Sequence, residues 1–209
     1  MGDIVLWDYP KSSASYRVRI ALGLAGLSFH SKVVDLLTAQ HRTAAHLARN
    51  PQGLVPVLDI DGHRLTQSLA ILEYLDETRQ LGLLPAEPQR RAQVRALAYA
   101  LAIDVHPVCN LSVAHHASQG KEPALTAWMK RHIRPGLDAF EALLPEDAPH
   151  PYSTAPLPSL ADLCLIPQLY NARRWGVDFD DCPKIIAIEA ACQVLPAFQQ
   201  AHPDQLKAI

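Results

Sequence analysis

The chain has 209 residues, of which 49% are hydrophobic and 19% charged. This is the composition of a folded globular chain, neither a disordered tail nor a membrane protein, and at roughly 100–200 residues per domain it makes one or two domains with full cores. Nineteen Lys and Arg against 21 Asp and Glu leave a formal net charge of -2. That balance lacks the basic excess of a nucleic-acid binder, and the pairs Arg90-Arg91 and Arg173-Arg174 are too short to replace it.

Met1 to Asp8 has neither the basic start nor the long apolar core of a signal peptide. Position 6 is Leu6, so Gly2 lacks the hydroxyl residue of a lipidation site. No run of about 18 uncharged apolar residues occurs anywhere, so no membrane span is expected, and the expected location is cytoplasmic. Ile4-Val5-Leu6-Trp7 reads as a buried strand and Pro10-Lys11-Ser12-Ser13 as a turn. Val18, Ala21, Leu22 and Ala25 then fall at helical spacing, with Gly26 as the stop. A second strand is expected from Phe29 to Leu36 and a polar helix from about Arg42 to Arg49.

Asn50-Pro51-Gln52-Gly53 reads as a loop, and Val55 to Ile60 as a strand that opens on X-Pro. Asp61-Gly62 is a hairpin signal, His63-Arg64-Leu65 a return strand, and Gln67-Ser68 the start of a helix with Leu69, Ile71, Leu72 and Leu75. The order βαβ, α, ββ, α makes a compact α/β unit over residues 1–82. Residues 83–88 carry Pro and break the helical period, which marks a linker. Residues 89–209 show no convincing strand. Val94, Leu97, Leu101 and Val105 mark one helix, and Trp128, Ile133, Leu137, Phe140 and Leu144 mark others. Ser159 with Asp162 is a capping box ahead of an apolar run. The second part is expected to be all-α.

The four cysteines, Cys109, Cys164, Cys182 and Cys192, form no CxxC pair and no zinc-ligand spacing. Cys109 and Cys164 sit in helix-like sequence and read as small core residues, and no metal site is expected.

The α/β unit followed by an all-helical domain resembles the glutathione transferase fold: an N-terminal thioredoxin-like domain and an all-α C-terminal domain. Local motifs narrow the likeness. The stretch from Ser12 to Leu22, Asn50-Pro51-Gln52-Gly53-Leu54-Val55-Pro56 and Gln67-Ser68-Leu69-Ala70-Ile71 resemble the zeta class, the maleylacetoacetate isomerases. So do Asp104-x-His106-Pro107-x-x-Asn110-Leu111-Ser112-Val113, Leu160-Ala161-Asp162 and Pro167-Gln168-x-x-Asn171-Ala172-Arg173-Arg174. The likeness runs in order over nearly the whole chain. Two departures stand out. Ala14 occupies the place of the family's Cys, and Tyr152-Ser153-Thr154-Ala155-Pro156 replaces its usual approach to the capping box.

The resemblance implies glutathione as cofactor, a small-molecule substrate, a homodimer, and isomerisation of maleylacetoacetate. Maleylpyruvate or small halo acids are alternative substrates, and a non-catalytic glutathione-binding protein is the alternative from another class. Ser12 and Ser13 precede a helix whose free N–H groups suit an anion; the resemblance makes that anion the glutathione thiolate and the two serines catalytic, Ser12 before Ser13. A thiol of pKa near 9 is mostly protonated at neutral pH, so each unit of depression, about 1.4 kcal/mol, gives nearly tenfold more thiolate. Taken alone, two serines before a helix are usually just caps.

By the same resemblance, a cis peptide at Val55-Pro56 presents backbone groups to the tripeptide, Gln67 and Ser68 receive its γ-glutamyl carboxylate, and His41 its glycyl end. His106, Asn110 and Ser112 complete the glutathione contacts. His106 and Asn110 share a helix face if Pro107 only kinks the helix. Arg174, helped by Arg17, is the cation for a substrate carboxylate; the competing reading of each is a surface salt bridge.

Overall fold

The computed structural model describes residues 3–146 and 151–206; Gly2 lies outside them. Residues Met1–Leu81 with Val194–Ile209 form one compact unit, and Gly82–Gln193 form a second.

The first unit is built on a four-stranded sheet. β1 (Val5–Asp8), β2 (His30–Val33), β3 (Val57–Ile60) and β4 (His63–Thr66) lie in the order β2-β1-β3-β4. β1 pairs in parallel with β2 and antiparallel with β3, and β3 pairs antiparallel with β4. β2 is one of the two edge strands and is exposed along its length, and its His, Ser and Lys keep that edge polar. It is shorter than the expected run from Phe29 to Leu36. Pairing with β1 ends at Asp8 opposite Val33, and Asp35 then accepts bonds from Leu37 N and Thr38 Oγ1, which bends the chain away. The β3–β4 turn is Asp61-Gly62, both with positive φ (53° and 78°), the conformation a two-residue hairpin of this hand requires.

α1 (Ser13–Leu24) and α3 (Ser68–Arg79) pack together, and Tyr16, Val18, Ile20, Ile71, Leu72 and Leu75 form the core with Leu6, Val57 and Leu58 of the sheet. Between β2 and β3 the expected single helix is two pieces, a 3-10 turn at Gln40–Arg42 and α2 (Ala44–Leu47). Thr43 separates them because its extended backbone and Oγ1 cap the second piece.

The end of the chain departs from the expectation that residues 89–209 form one domain. α9 (Pro196–Ala201) packs on α1, where Gly23 allows Ala197 to approach so closely that a Cβ would meet it at 3.1 Å. Arg19 locks this arrangement. Its guanidinium donates to both carboxylate oxygens of Asp8 (2.7 and 2.9 Å), to Pro10 O (2.9 Å) and to Ala201 O (3.0 Å). A buried charge is tolerated when its donors are matched in this way.

The second unit is helical, and no strand occurs in it among the described residues. α4 (Pro88–Tyr99) is capped by Glu87, which accepts from the backbone of Gln89 and Arg90. It runs on as a π-helical segment, Ala100–Val105. α5 (Leu111–Ser118), α6 (Ala124–Leu143), α7 (Leu160–Arg174) and α8 (Pro183–Gln193) follow. Leu83, expected in a linker, is buried and its carbonyl accepts from Leu160 N.

The expected capping box is formed, with Ser159 N donating to Asp162 Oδ2 at 2.7 Å. The same carboxylate accepts from Ser159 Oγ and from Ser153 N and Oγ, so the Ser153 segment is pinned to the start of α7. Ser153, inside the departing Tyr152–Pro156 stretch, is thereby held at the start of α7; residues 147–150 lie outside the described residues.

Candidate functional site

Sheet register decides which loops meet. Trp7 lies opposite Val57, Val57 opposite Thr66, and Asp8 opposite Val33. The C-terminal ends of β1, β2 and β4 and the N-terminal end of β3 therefore share one edge of the first unit. The segments that leave or enter there contain Ser12, Ser13, His41, Val55, Pro56, Gln67 and Ser68.

Ser12 is the N-cap of α1, with extended backbone, and its Oγ accepts from Ser15 N at 3.2 Å. Capping uses an acceptor site of the hydroxyl, so its proton stays available for a second partner. Ser13 is the first helical residue and is buried, and Ala14 follows half-buried.

The entry to β3 is held from behind. Val55-Pro56 is cis. The ladder starts only at Val57, two residues later than expected, because Pro56 has no N–H to give it. Val55 is half-buried, and its backbone is engaged by no hydrogen bond among the described residues. The carbonyl before it, Leu54 O, accepts from His46 Nε2 (3.0 Å) and Asn50 Nδ2 (2.9 Å). Asn50 Oδ1 accepts from Gln52 N, and Gln52 Oε1 from Gln67 Nε2 at 2.7 Å. Gly53 has φ +63°, and a Cβ there would lie 3.0 Å from His41 O. Neither His46 nor Asn50 is among the site residues expected from the sequence: His46 reads as one polar residue of a polar helix, and Asn50 only as the start of a loop motif.

α3 begins in an unusual conformation. Gln67, at its N-cap, has φ 66° and ψ 109°, a sparsely populated region for a residue with a side chain. Its side chain makes no cap bond. Ser68 is buried, and its Oγ accepts from Arg17 Nη1 at 3.2 Å. His41 lies in the 3-10 turn with Nδ1 enclosed and unbonded. Burial, then the charges of Arg42 and His46, lowers its pKa, so the ring is neutral at pH 7.

The remaining candidates belong to the second unit. His106 and Asn110 do not share a helix face. Pro107 cannot donate into the helix, the chain passes through turns from 106 to 109, and Asn110 is extended (φ -62°, ψ 136°) as the N-cap of α5. Its side chain makes no cap bond. Ser112 is exposed in the first turn of α5. At the end of α7 the two arginines differ. Arg173 forms a bidentate pair with Glu189 and lies over Phe179. Arg174 is exposed, lies 6.0 Å from the Tyr170 ring, and makes no ion pair among the described residues.

The sequence pattern of the glutathione S-transferase N-terminal domain matches residues 2–77. The chain is 57% identical to a maleylacetoacetate isomerase of Rhizobium meliloti (strain 1021), over 99% of each chain. The chain belongs to the zeta-class glutathione transferase family. Within this family its fold matches the holo structure of a maleylpyruvate isomerase, described as a bacterial zeta-class enzyme (TM-score 0.93, 40% identity, 97% and 98% of the two chains covered). It also matches a maleylacetoacetate isomerase from Anaeromyxobacter dehalogenans 2CP-1 with glutathione bound in its active site (TM-score 0.87, 40% identity, 98% and 96% covered).

In this zeta-class chain the start of α1 carries the hydroxyls of Ser12 and Ser13. Position 14 is Ala14, and the four cysteines are buried and unlinked. Burial pushes the Cys109 thiol up to about 11 and the Cys192 thiol higher still. Among the described residues no group of His, Cys, Asp and Glu is placed to hold a metal.

Proposed function

We propose that this chain is a glutathione-dependent cis–trans isomerase that converts maleylacetoacetate to fumarylacetoacetate. One observation carries the reading: Ser12, Val55 and Ser68 gather at one edge of the sheet in a chain that matches a maleylacetoacetate isomerase from end to end.

The residues present fit glutathione. Val55 offers backbone groups outside the ladder, and a peptide can pair with these as an added strand. Ser68 and the first turn of α3, which holds no acidic residue, suit the γ-glutamyl carboxylate. Neutral His41 can donate to the glycyl carboxylate. Bound glutathione supplies a reversible thiol addition that turns the maleyl double bond into a single bond free to rotate.

The protein's part is to hold that thiol as thiolate and to stabilise charge. Ser12 Oγ donates toward the sulfur while it continues to cap α1, with Ser13 as its neighbour in reserve. The first-turn N–H groups of α1 add positive potential at the same place. Arg174, which no protein carboxylate neutralises among the described residues, binds a carboxylate of the maleyl substrate. The reading includes a homodimer in the cytoplasm. Among the described residues no helix is long and apolar enough to cross a membrane, and light scattering at micromolar concentration checks the dimer.

A second reading, isomerisation of maleylpyruvate, is favoured by the match to the maleylpyruvate isomerase structure. Both substrates share a maleyl group beside a ketone, so the same residues serve either. Isomerisation of each, measured with and without glutathione, tests the function. Glutathione-dependent turnover of maleylacetoacetate with the higher kcat/KM is expected. Turnover that ignores glutathione defeats both readings.

A further inference from the structure

Arg17 was expected to help bind a substrate carboxylate. Its surroundings assign it other work. It lies on α1 five residues after the Ser12 cap, and only 2% of it is exposed. A guanidinium so enclosed does not meet a substrate that enters from solvent. What it meets is the start of α3, where Nη1 donates to Ser68 Oγ at 3.2 Å.

That position has two chemical consequences. A hydroxyl that accepts a bond from a cation has its single proton directed elsewhere, so Ser68 is held as a donor. A permanent charge is also added behind the N-terminus of a twelve-residue helix, which already carries about half a positive charge. The first turn of α3 contains no acidic side chain, and the N-cap side chain makes no bond to it. Hydroxyl, helix end and guanidinium therefore all favour a negative group at one place.

We propose that Arg17 is a positioning residue for the γ-glutamyl carboxylate of glutathione. It orients Ser68 as a hydrogen-bond donor and makes this subsite prefer a carboxylate over a neutral group of the same shape. The assignment rests on the reading of Ser68 as a glutathione contact. It replaces the expected role of Arg17 in substrate binding.

The test compares glutathione with its derivative in which the α-carboxylate of the γ-glutamyl residue is a carboxamide. Calorimetry gives Kd for both ligands with the wild-type chain, Arg17→Gln, Arg17→Lys, Ser68→Ala and the double variant Arg17→Gln with Ser68→Ala. The wild-type chain is expected to prefer the acid by about tenfold to a hundredfold, the range of one charge-assisted bond. Arg17→Gln, which keeps a donor but loses the charge, should bring that ratio below about threefold. Arg17→Lys should keep most of it even though its geometry is poorer. In the Ser68→Ala background, Arg17→Gln should have a smaller effect than it has alone, because part of its action passes through Ser68.

A merely structural arginine would weaken both ligands equally. An unchanged acid-to-amide ratio in Arg17→Gln overturns the proposal. If that variant does not fold, Arg17→Lys decides: loss of the ratio there overturns it too, and retention supports it. At saturating glutathione, the KM for the maleyl substrate should stay within about twofold in Arg17→Lys, and a tenfold rise would return Arg17 to the substrate. A wild-type chain that binds neither ligand at millimolar concentration defeats the glutathione reading itself, a result separate from an unchanged ratio.

Discussion

His46 donates from Nε2 to the carbonyl oxygen of Leu54 at 3.0 Å, and both partners of that bond lie behind the entry to β3. The residue is 1% exposed, so it is a fixed strut and not a surface imidazole. Asn50 braces the same oxygen and also receives the N–H of Gln52. Asn50→Ala removes both bonds and should weaken glutathione binding about tenfold while lowering stability by about 1–3 kcal/mol. His46→Phe leaves Leu54 O its second donor, so its effect should be smaller, about threefold, with partial recovery in His46→Gln. Calorimetry and thermal denaturation check both. An Asn50→Ala chain with wild-type Kd would show that the Leu54 peptide does not position Val55.

Ser12 combines a cap with a chemical task, and the two can be separated. Ser12→Ala should cost about 1 kcal/mol of stability, whereas Ser12→Gly should cost only a few tenths, because glycine is a fair N-cap. Both lose the hydroxyl, so both should lower kcat by at least about tenfold with little change in glutathione Kd. Ser13 can substitute, and the double change to Ala at 12 and 13 belongs in the same kinetic series. Wild-type kcat in that double variant would remove the hydroxyls from thiol activation.

The two arginines at the end of α7 should respond in opposite ways. Arg173→Ala strands the buried carboxylate of Glu189, so its main effect is a lower melting temperature. Arg174→Ala breaks no ion pair among the described residues. It should leave melting nearly unchanged and raise the substrate KM about tenfold or more, the loss of one charge-assisted bond. Steady-state kinetics beside a melting curve distinguishes them, and an unchanged KM in Arg174→Ala counts against a substrate contact.

The buried cysteines should be silent in catalysis. With the Cys109 thiol pushed up to about 11, about one molecule in a thousand is thiolate there at pH 8. A thiol-alkylating reagent on the folded chain at pH 8 should leave activity intact and label nothing, although the denatured chain offers all four thiols. Restoring the family residue by Ala14→Cys should change kcat by less than about tenfold, because the attacking sulfur is not the protein's. The sign for stability is also set. A folded-state thiol pKa above the unfolded value of about 8.5 contributes stability below that value, and the contribution is lost as pH rises through about 11. Denaturant midpoints between pH 8 and 11.5, compared with those of Cys109→Ala, report it.

Features with short sequence spacing were legible before any fold was known. The Ser12 cap, the Asp61-Gly62 hairpin and the Ser159–Asp162 box each close within a few residues, so composition and spacing suffice to write their hydrogen bonds. The helical second unit and the family likeness followed from periodicity and ordered motifs. Tertiary structure alone decided the rest. Arg17 reaches Ser68 across 51 residues and Arg19 reaches Ala201 across 182, and no local pattern states which buried cation will meet which acceptor. Packing of α9 on α1 returned the end of the chain to the first unit, against the reading of one continuous helical domain. Pro107 could be read as a kink or as a break, and the extended backbone at Asn110 made it a break. The physical reason is common to these cases. A cap or turn is chosen by the energies of a few adjacent dihedrals, whereas a buried charge, a chain end or a helix junction settles where distant surfaces leave its polar groups satisfied.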